Sequence, residues 1–271
     1  MHTSASYYSD ERVHAVAIGR TRGDVDAVVA DVAMRLGRSH AEIRQRMRQL
    51  SLDAGEDPIV LGVHRDTEIA FATAAMLREH GFDAHALPVH RPVPNLRVAR
   101  GFVIDEGLLR IEDREGRSAD LQYAEIDALV LARSYSHPAP PRESAVAPGF
   151  GHTFAAQLTN AATQGRTHGG QPTHEGLVYV FGAAHCCALR EHELRYQSFG
   201  AALQLSRGAN FRQLVDRLRE RCTQAVYDAR LVRPAAQSHI LGPMFAVDVR
   251  LELAAALVAA SVRRAVRGPY R

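Results

Sequence analysis

Residues 107–129 read GLLRIEDREGRSADLQYAEIDAL. Two short runs with strand composition are split by the charged turn Arg114-Glu115-Gly116. A run, a turn containing glycine and a second run make a hairpin. Working outward, Gly101–Ile104, Leu108–Asp113, Ala119–Tyr123 and Ala128–Tyr135 are expected as four consecutive strands. The other turns fall at Asp105-Glu106-Gly107 and Ala124-Glu125, so this stretch reads as a meander.

Upstream of the proline-marked joint at residues 90–95 (HRPVPN) the pattern is different. Arg12–Gly19 (RVHAVAIG) reads as a strand. Asp24 can cap a following helix, Val25, Val28, Val29, Val32 and Leu36 form its apolar stripe, and Gly37 ends it. Ser39 and Glu42 stand at capping-box spacing before a second helix that carries Ile43, Met47 and Leu50. Pro58–Val63 (PIVLGV) is a short continuous apolar run, the signature of a strand covered on both faces. Asp66 caps a third helix that ends at His80-Gly81, and Ala84–Leu87 follows as a strand. Residues 12–90 are therefore expected as a small β-α-α-β-α-β unit.

Downstream, residues 136–176 hold five prolines and six glycines with little periodicity, so a long loop is expected, with a short helix near Phe154–Ala162. Strands are expected again at Leu177–Ala184, Cys187–Arg190, Leu194–Tyr196 and Leu203–Leu205. A helix capped by Asn210 then presents Phe211, Leu214, Val215, Leu218 and Cys222. In the remainder, 223–271, residues 247–266 form an alanine-rich helix that is apolar nearly all round. Such a helix must be covered, by its own chain or by a partner.

The hairpin at 107–129 resembles the strand-turn-strand of bacterial pleckstrin-homology-like domains, and the likeness extends over residues 97–222. It implies an antiparallel half-barrel with a capping helix, followed here by an extra C-terminal helix. The stretch HRDTEIAFATAAMLREHGFDAHAL (64–87) resembles small ferredoxin-like regulatory modules, which residues 12–90 would then match. The fold class expected is thus α+β. Both resemblances imply binding or regulation, and neither brings catalytic residues with it. A lipid headgroup would be a natural ligand of such a half-barrel, but its first turn, Asp105-Glu106, is acidic where a phosphate needs cations.

Composition narrows the chemistry. All 33 basic residues are arginine; lysine is absent. That excludes a P-loop lysine, a Schiff-base lysine and a kinase strand lysine. Cys186, Cys187 and Cys222 form no disulfide framework and suit a reducing compartment, so a cytoplasmic location is expected. The longest apolar run, Leu253–Val262, is far below the ~20 residues of a membrane span.

Three functions are in contention. The leading one is a non-enzymatic cytoplasmic binding or regulatory protein, an adaptor needing no cofactor, with a protein partner or a homodimer formed through the C-terminal helix. Leu253, Leu257, Arg263 and Arg264 are its interaction residues. The second is a metal- or thiol-dependent hydrolase drawing on the cluster from 152 to 192. Zinc would use His152, His168, His174, Cys186 and Cys187; a thiol mechanism would use Cys187 with His185 or His192 as base and Glu175 or Glu191 to orient it. The cluster contains no Cys-x-x-Cys and no His-Glu-x-x-His spacing. The third is nonspecific binding to an anionic surface, nucleic acid or membrane, through the Arg-rich C-terminal region and the helix bearing Arg44, Arg46 and Arg48. Sequence-specific nucleic-acid recognition is not expected, because aromatics are only 6% of the chain and stacking needs them. The glycine-arginine loop Gly19–Asp24 is a candidate anion site opposed by its own Asp24.

Overall fold

The computed structural model describes residues 14–21, 23–52, 58–88, 96–136, 173–182, 185–242 and 251–267. The expected helix at 154–162 and most of the loop at 136–176 lie outside them.

The N-terminal unit forms as its local signals dictate. Strand β1 (His14–Thr21) leads into α1 (Val25–Leu36), whose first turn is capped by the Asp24 carboxylate accepting from the Asp26 N–H at 2.9 Å. Gly37 ends α1 in the left-handed region at φ 60°, which lets the Arg38 N–H reach back to the Ala33 carbonyl. The capping box closes both ways at the start of α2 (His40–Leu52): Glu42 N–H donates to Ser39 Oγ, and Ser39 N–H to Glu42 Oε2. That bond from the Ser39 amide holds the Glu42 carboxyl below its usual range. Strand β2 (Ile59–His64), α3 (Thr67–Glu79) and β3 (Phe82–Pro88) complete the unit.

Its sheet has the order β2-β1-β3, and β1 is antiparallel to both neighbours. β2 and β3 therefore run parallel to each other with β1 inserted between them, a split β-α-β crossed by α3. One face, with Val16, Ile18, Ile59 and Phe82, packs on the three helices. Ala15, Ala17 and Val60 on the other face are equally buried, which accounts for the unbroken apolar runs of β1 and β2.

The second sheet is open and has seven strands: β4 (Leu96–Ile104), β5 (Leu108–Asp113), β6 (Ser118–Gln122), β7 (Ile126–Ser136), β8 (Thr173–Gly182), β9 (Cys186–Arg190) and β10 (Val226–Leu231). Their order is β10-β7-β8-β9-β4-β5-β6. The hairpins β4-β5 and β5-β6 form as expected, and the Asp113 carboxylate accepts from the Glu115 and Arg117 amides to close the turn at Gly116.

The expected all-antiparallel half-barrel is corrected in two respects. β4 pairs parallel with β9, and β7 pairs parallel with β10, so the sheet is mixed. The meander also stops at β6, which is an edge strand. A 3₁₀ turn at Tyr123–Glu125 buries the Tyr123 ring, its hydroxyl donating to the Asp105 carbonyl, and sends β7 to the far side of the sheet.

Helix α4 (Arg207–Arg221) covers one face of this sheet with Phe211, Leu214, Val215 and Leu218. Its cap is Ser206, whose Oγ accepts from the Ala209 N–H; the expected Asn210 cap lies inside the first turn. The expected strands at 194–196 and 203–205 are also corrected. Leu194–Tyr196 is irregular, Gln197–Ala202 is a 3₁₀ segment, and Leu203–Leu205 is loop. Arg195 reaches the Arg100 carbonyl of β4, but the chain then turns into the 3₁₀ segment and no ladder is built.

The opposite face carries Ala128, Val130, Tyr179 and Phe181, and it meets α5 (Pro234–Leu241) and α6 (Leu251–Arg267). α6 packs against β3 of the small sheet and β10 of the large one. It is thus a central layer: Leu253, Ala254, Ala255, Leu257 and Val258 are wholly inaccessible to solvent. No described helix is long and apolar enough to cross a membrane.

Arg46 ties these layers together. Its guanidinium donates to the Val60 carbonyl of β2 and to the His239 and Ile240 carbonyls at the end of α5. Burial lowers its pKa to about 10, below the ordinary arginine range. Gly242, at φ 69°, has no room for a Cβ because the Arg46 guanidinium lies 2.7 Å from where it would sit.

Candidate functional site

The surface feature with the most deliberate construction lies between β9 and α4. After the turn at 191–193, the Arg195 N–H donates to the Arg100 carbonyl and fastens the chain to β4. Tyr196 sends its hydroxyl to the Glu191 carbonyl at 2.9 Å, and burial pushes that phenol well above its ordinary range. The Tyr196 ring stacks on Phe199, which meets Phe102 of β4 edge-on at 5.3 Å. Gly200, at φ 51° and ψ −122°, then turns the chain outward, a conformation that favours glycine.

From there α4 holds the chain with one row of polar side chains at the i, i+3, i+7 spacing of a single helix face. Asn210, only 4% exposed, grips Gln204 on both sides: its Oδ1 accepts from the Gln204 N–H at 2.8 Å and its Nδ2 donates to the Gln204 carbonyl at 2.9 Å. The same Nδ2 reaches the Ser206 carbonyl. With its amide turned so that both ends are satisfied, Gln213 donates to the Ala202 carbonyl and accepts from Arg217, both at 3.1 Å. The Arg217 guanidinium lies 4.9 Å from the centre of the Phe199 ring.

Residues 202, 204 and 206 are thus anchored through their backbones, and the two between them are left facing out. Leu203 is 49% exposed and Leu205 is fully exposed at 110%. The sequence reading missed this because Leu203-Gln204-Leu205 alternates as a half-buried strand does. The available signals were Gly200 before it and Ser206 three residues ahead of Ala209, the spacing of a helix cap.

The His/Cys candidates are placed as follows. His152 and His168 lie outside the described residues. His174 is exposed and meets the Tyr135 ring edge-on at 4.9 Å. His185 is exposed ahead of β9, its carbonyl accepting from the Gly182 N–H. Cys186 is half-buried on the α6 side, and burial raises its thiol, opposed by nearby Arg263. Cys187 points to the opposite face, under α4, fully buried, and burial pushes its thiol far up. His192 is exposed in the turn beyond β9, roughly 10 Å or more along the strand from Cys187. No hydrogen bond joins Cys187 to His185 or His192. Glu175 is held by Arg190 and by the His192 N–H, and Glu191 accepts from the Gly176 N–H, so both carboxylates brace the β8-β9 hairpin. Among the described residues no three His, Cys, Asp or Glu side chains converge as a metal would require.

Two of the expected interaction residues of the C-terminal helix, Leu253 and Leu257, are covered by their own chain. Leu253 and Leu257 are 0% exposed, sealed between the two sheets. Arg263 lies 3.5 Å from Asp127 and over the Phe181 ring; the Arg264 side chain is outside the description. Of the anionic-surface candidates on α2, Arg48 is exposed and the other two are engaged. Arg44 pairs with Asp26 at 2.9 Å, and Arg46 is consumed by carbonyls. Gly23 is needed where it stands because a Cβ there would lie 2.4 Å from the His80 carbonyl and the Phe82 ring. Comparison with protein-family models, with curated proteins and with solved structures finds no match to this chain.

Proposed function

We propose that this is a cytoplasmic binding or regulatory protein whose contact element is the loop from Ala202 to Ser206. The observation that carries the reading is the pair Leu203 and Leu205, presented outward on a backbone that Asn210 and Gln213 fix from below. Scattered surface leucines are ordinary; two on one loop held by a buried amide are not accounted for by packing. Burying both in a partner would contribute roughly 3–6 kcal/mol. A fixed loop spares most of the ordering cost that a floppy one incurs on binding. The free thiols of Cys186, Cys187 and Cys222 support a reducing location.

The test is photocrosslinking from a reactive group placed at Gln204, in extract of cells that make the protein. The expected result is a discrete adduct competed away by unlabelled wild-type chain but not by a Leu203→Ser/Leu205→Ser chain. Equal competition by both chains overturns the reading.

A further inference from the structure

We infer that the edge strand β6 is a second docking element, which takes an extended segment of a partner protein as an added strand, with a basic residue of that segment at the Gln122 end. Nothing in it depends on the leucine loop. The direction of each backbone group on β6 follows from the bonds at its two ends. The Asp113 N–H donates to the Arg117 carbonyl, and the Tyr123 N–H donates to the Gly107 carbonyl, so residues 117 and 123 face β5. Between them β6 pairs with β5 residue by residue, without a shift of register. Ala119 and Leu121 therefore face β5 too, and Ser118, Asp120 and Gln122 turn their N–H and carbonyl groups outward. Arg97 takes the Ser118 carbonyl, and Gln122 is the cap of the 3₁₀ turn. The Asp120 N–H and carbonyl and the Ser118 and Gln122 N–H groups have no partner among the described residues.

The other three sheet edges carry devices against strand addition. On β2, Arg46 fills the Val60 carbonyl and α5 packs alongside. β10 loses its register after Asp228, and the Val232 and Arg233 N–H groups fold back onto the Ala229 and Arg230 carbonyls. β3 ends in Pro88. Cover, bulge and proline are the usual means of blunting an edge. β6 has none of them, and its one charged side chain, Asp120, is held to Arg110 of β5 by hydrogen bonds at 2.8 and 3.1 Å. A row of unpaired main-chain groups at this spacing is matched by another extended chain. Charge then sets its direction. The Tyr123 hydroxyl on the Asp105 carbonyl fastens the turn at 105–107 beside the Gln122 end, and Glu125 follows in the 3₁₀ turn. Asp105, Glu106 and Glu125 are exposed there, and Arg221 reaches only the Glu106 carbonyl. At the Ser118 end stands the Arg97 guanidinium. A second copy of the chain fits less well, because antiparallel pairing of β6 with itself centres on Asp120 and sets like charges directly opposite.

The experiment uses the full chain as bait for a displayed random-peptide library, with counter-selection on a Gln122→Pro chain. Gln122 has φ −64° and ψ 132°, a conformation proline adopts, and its N–H takes no part in the ladder with β5. The substitution therefore blocks the edge and leaves the fold intact, which circular dichroism checks. Enriched peptides should alternate β-branched and polar residues and carry Arg or Lys near one end. A synthetic copy should bind about tenfold more weakly to Gln122→Pro, and several-fold more weakly to Glu106→Arg/Glu125→Arg with a steeper loss as salt rises on the wild type. Copies of the peptide N-methylated at alternate residues supply a test that needs no variant chain. Methylation in one register should abolish binding, and in the other register leave it within about twofold, since only one side of an added strand faces β6. Equal loss in both registers, or equal binding to Gln122→Pro, overturns the docking edge. Equal binding to the charge-reversed chain overturns the basic segment and leaves the edge standing. No enrichment overturns the inference, and so does a dimer in sedimentation that Gln122→Pro makes monomeric, which would give the edge to a second copy.

Discussion

The two most conspicuous apolar segments of this chain have opposite fates. Helix α6 has the composition of an interface and is sealed inside the molecule, with Leu253 and Leu257 at 0% exposure. The Leu203-Gln204-Leu205 triplet has the alternation of a strand and stands in solvent. The difference teaches that apolar pattern states how much surface must be covered and leaves open what covers it. For α6 the cover is two sheets from distant parts of the chain. For the triplet, Asn210 on α4 takes both the N–H and the carbonyl of Gln204, and the Leu203 N–H turns back to the Gly200 carbonyl.

The sharpest way to break the contrast is at Leu257. A Leu257→Asp chain buries a carboxylate between two sheets with no partner and is expected not to fold, the cost exceeding about 4 kcal/mol. A soluble chain with native-like circular dichroism would mean that α6 is accessible after all. A middle-sized effect is expected at Asn210. Asn210→Ala removes three hydrogen bonds to the loop and should cost about 1–3 kcal/mol in urea unfolding. It should also expose the 202–206 backbone to limited proteolysis, and a resistant loop would show that Asn210 does not hold it. The smallest effect belongs to Leu205. Leu205→Ser should leave stability within about 0.5 kcal/mol of wild type while abolishing the crosslink from Gln204. A large loss of stability would mean that this leucine is packed and has no presenting role.

Legibility in the sequence followed the range of the interactions. The N-terminal unit could be read because its boundaries are written locally: Asp24 and Gly37, Ser39 with Glu42, and Asp66 each act within a few residues. The hairpins on either side of β5 were legible for the same reason. What escaped depends on distant partners. Nothing between residues 123 and 136 indicates that β7 will leave the meander and lie parallel to β10. β10 itself, VYDARL, is a short edge strand of half-buried residues with no clear alternation, and α5 was missed although Pro234 stands at its first turn. At the candidate site, Asn210 was recognised as a hydrogen-bonding residue at a helix start but given the wrong acceptors and donors. The result was a strand in place of a presented loop.

The position of α6 also sets a timetable. Ala15 and Ala17 share a core with residues 254–258, roughly 240 positions later in the chain, so this cluster is among the least local that a single polypeptide can build. A ribosome makes the small sheet first, and its inner face then waits, uncovered, for the helix that will separate it from the large one. Alanine on that face is suited to the wait, offering less sticky surface than leucine or phenylalanine would before α6 arrives. Assembly of the two sheets is therefore a late event that waits for both α5 and α6.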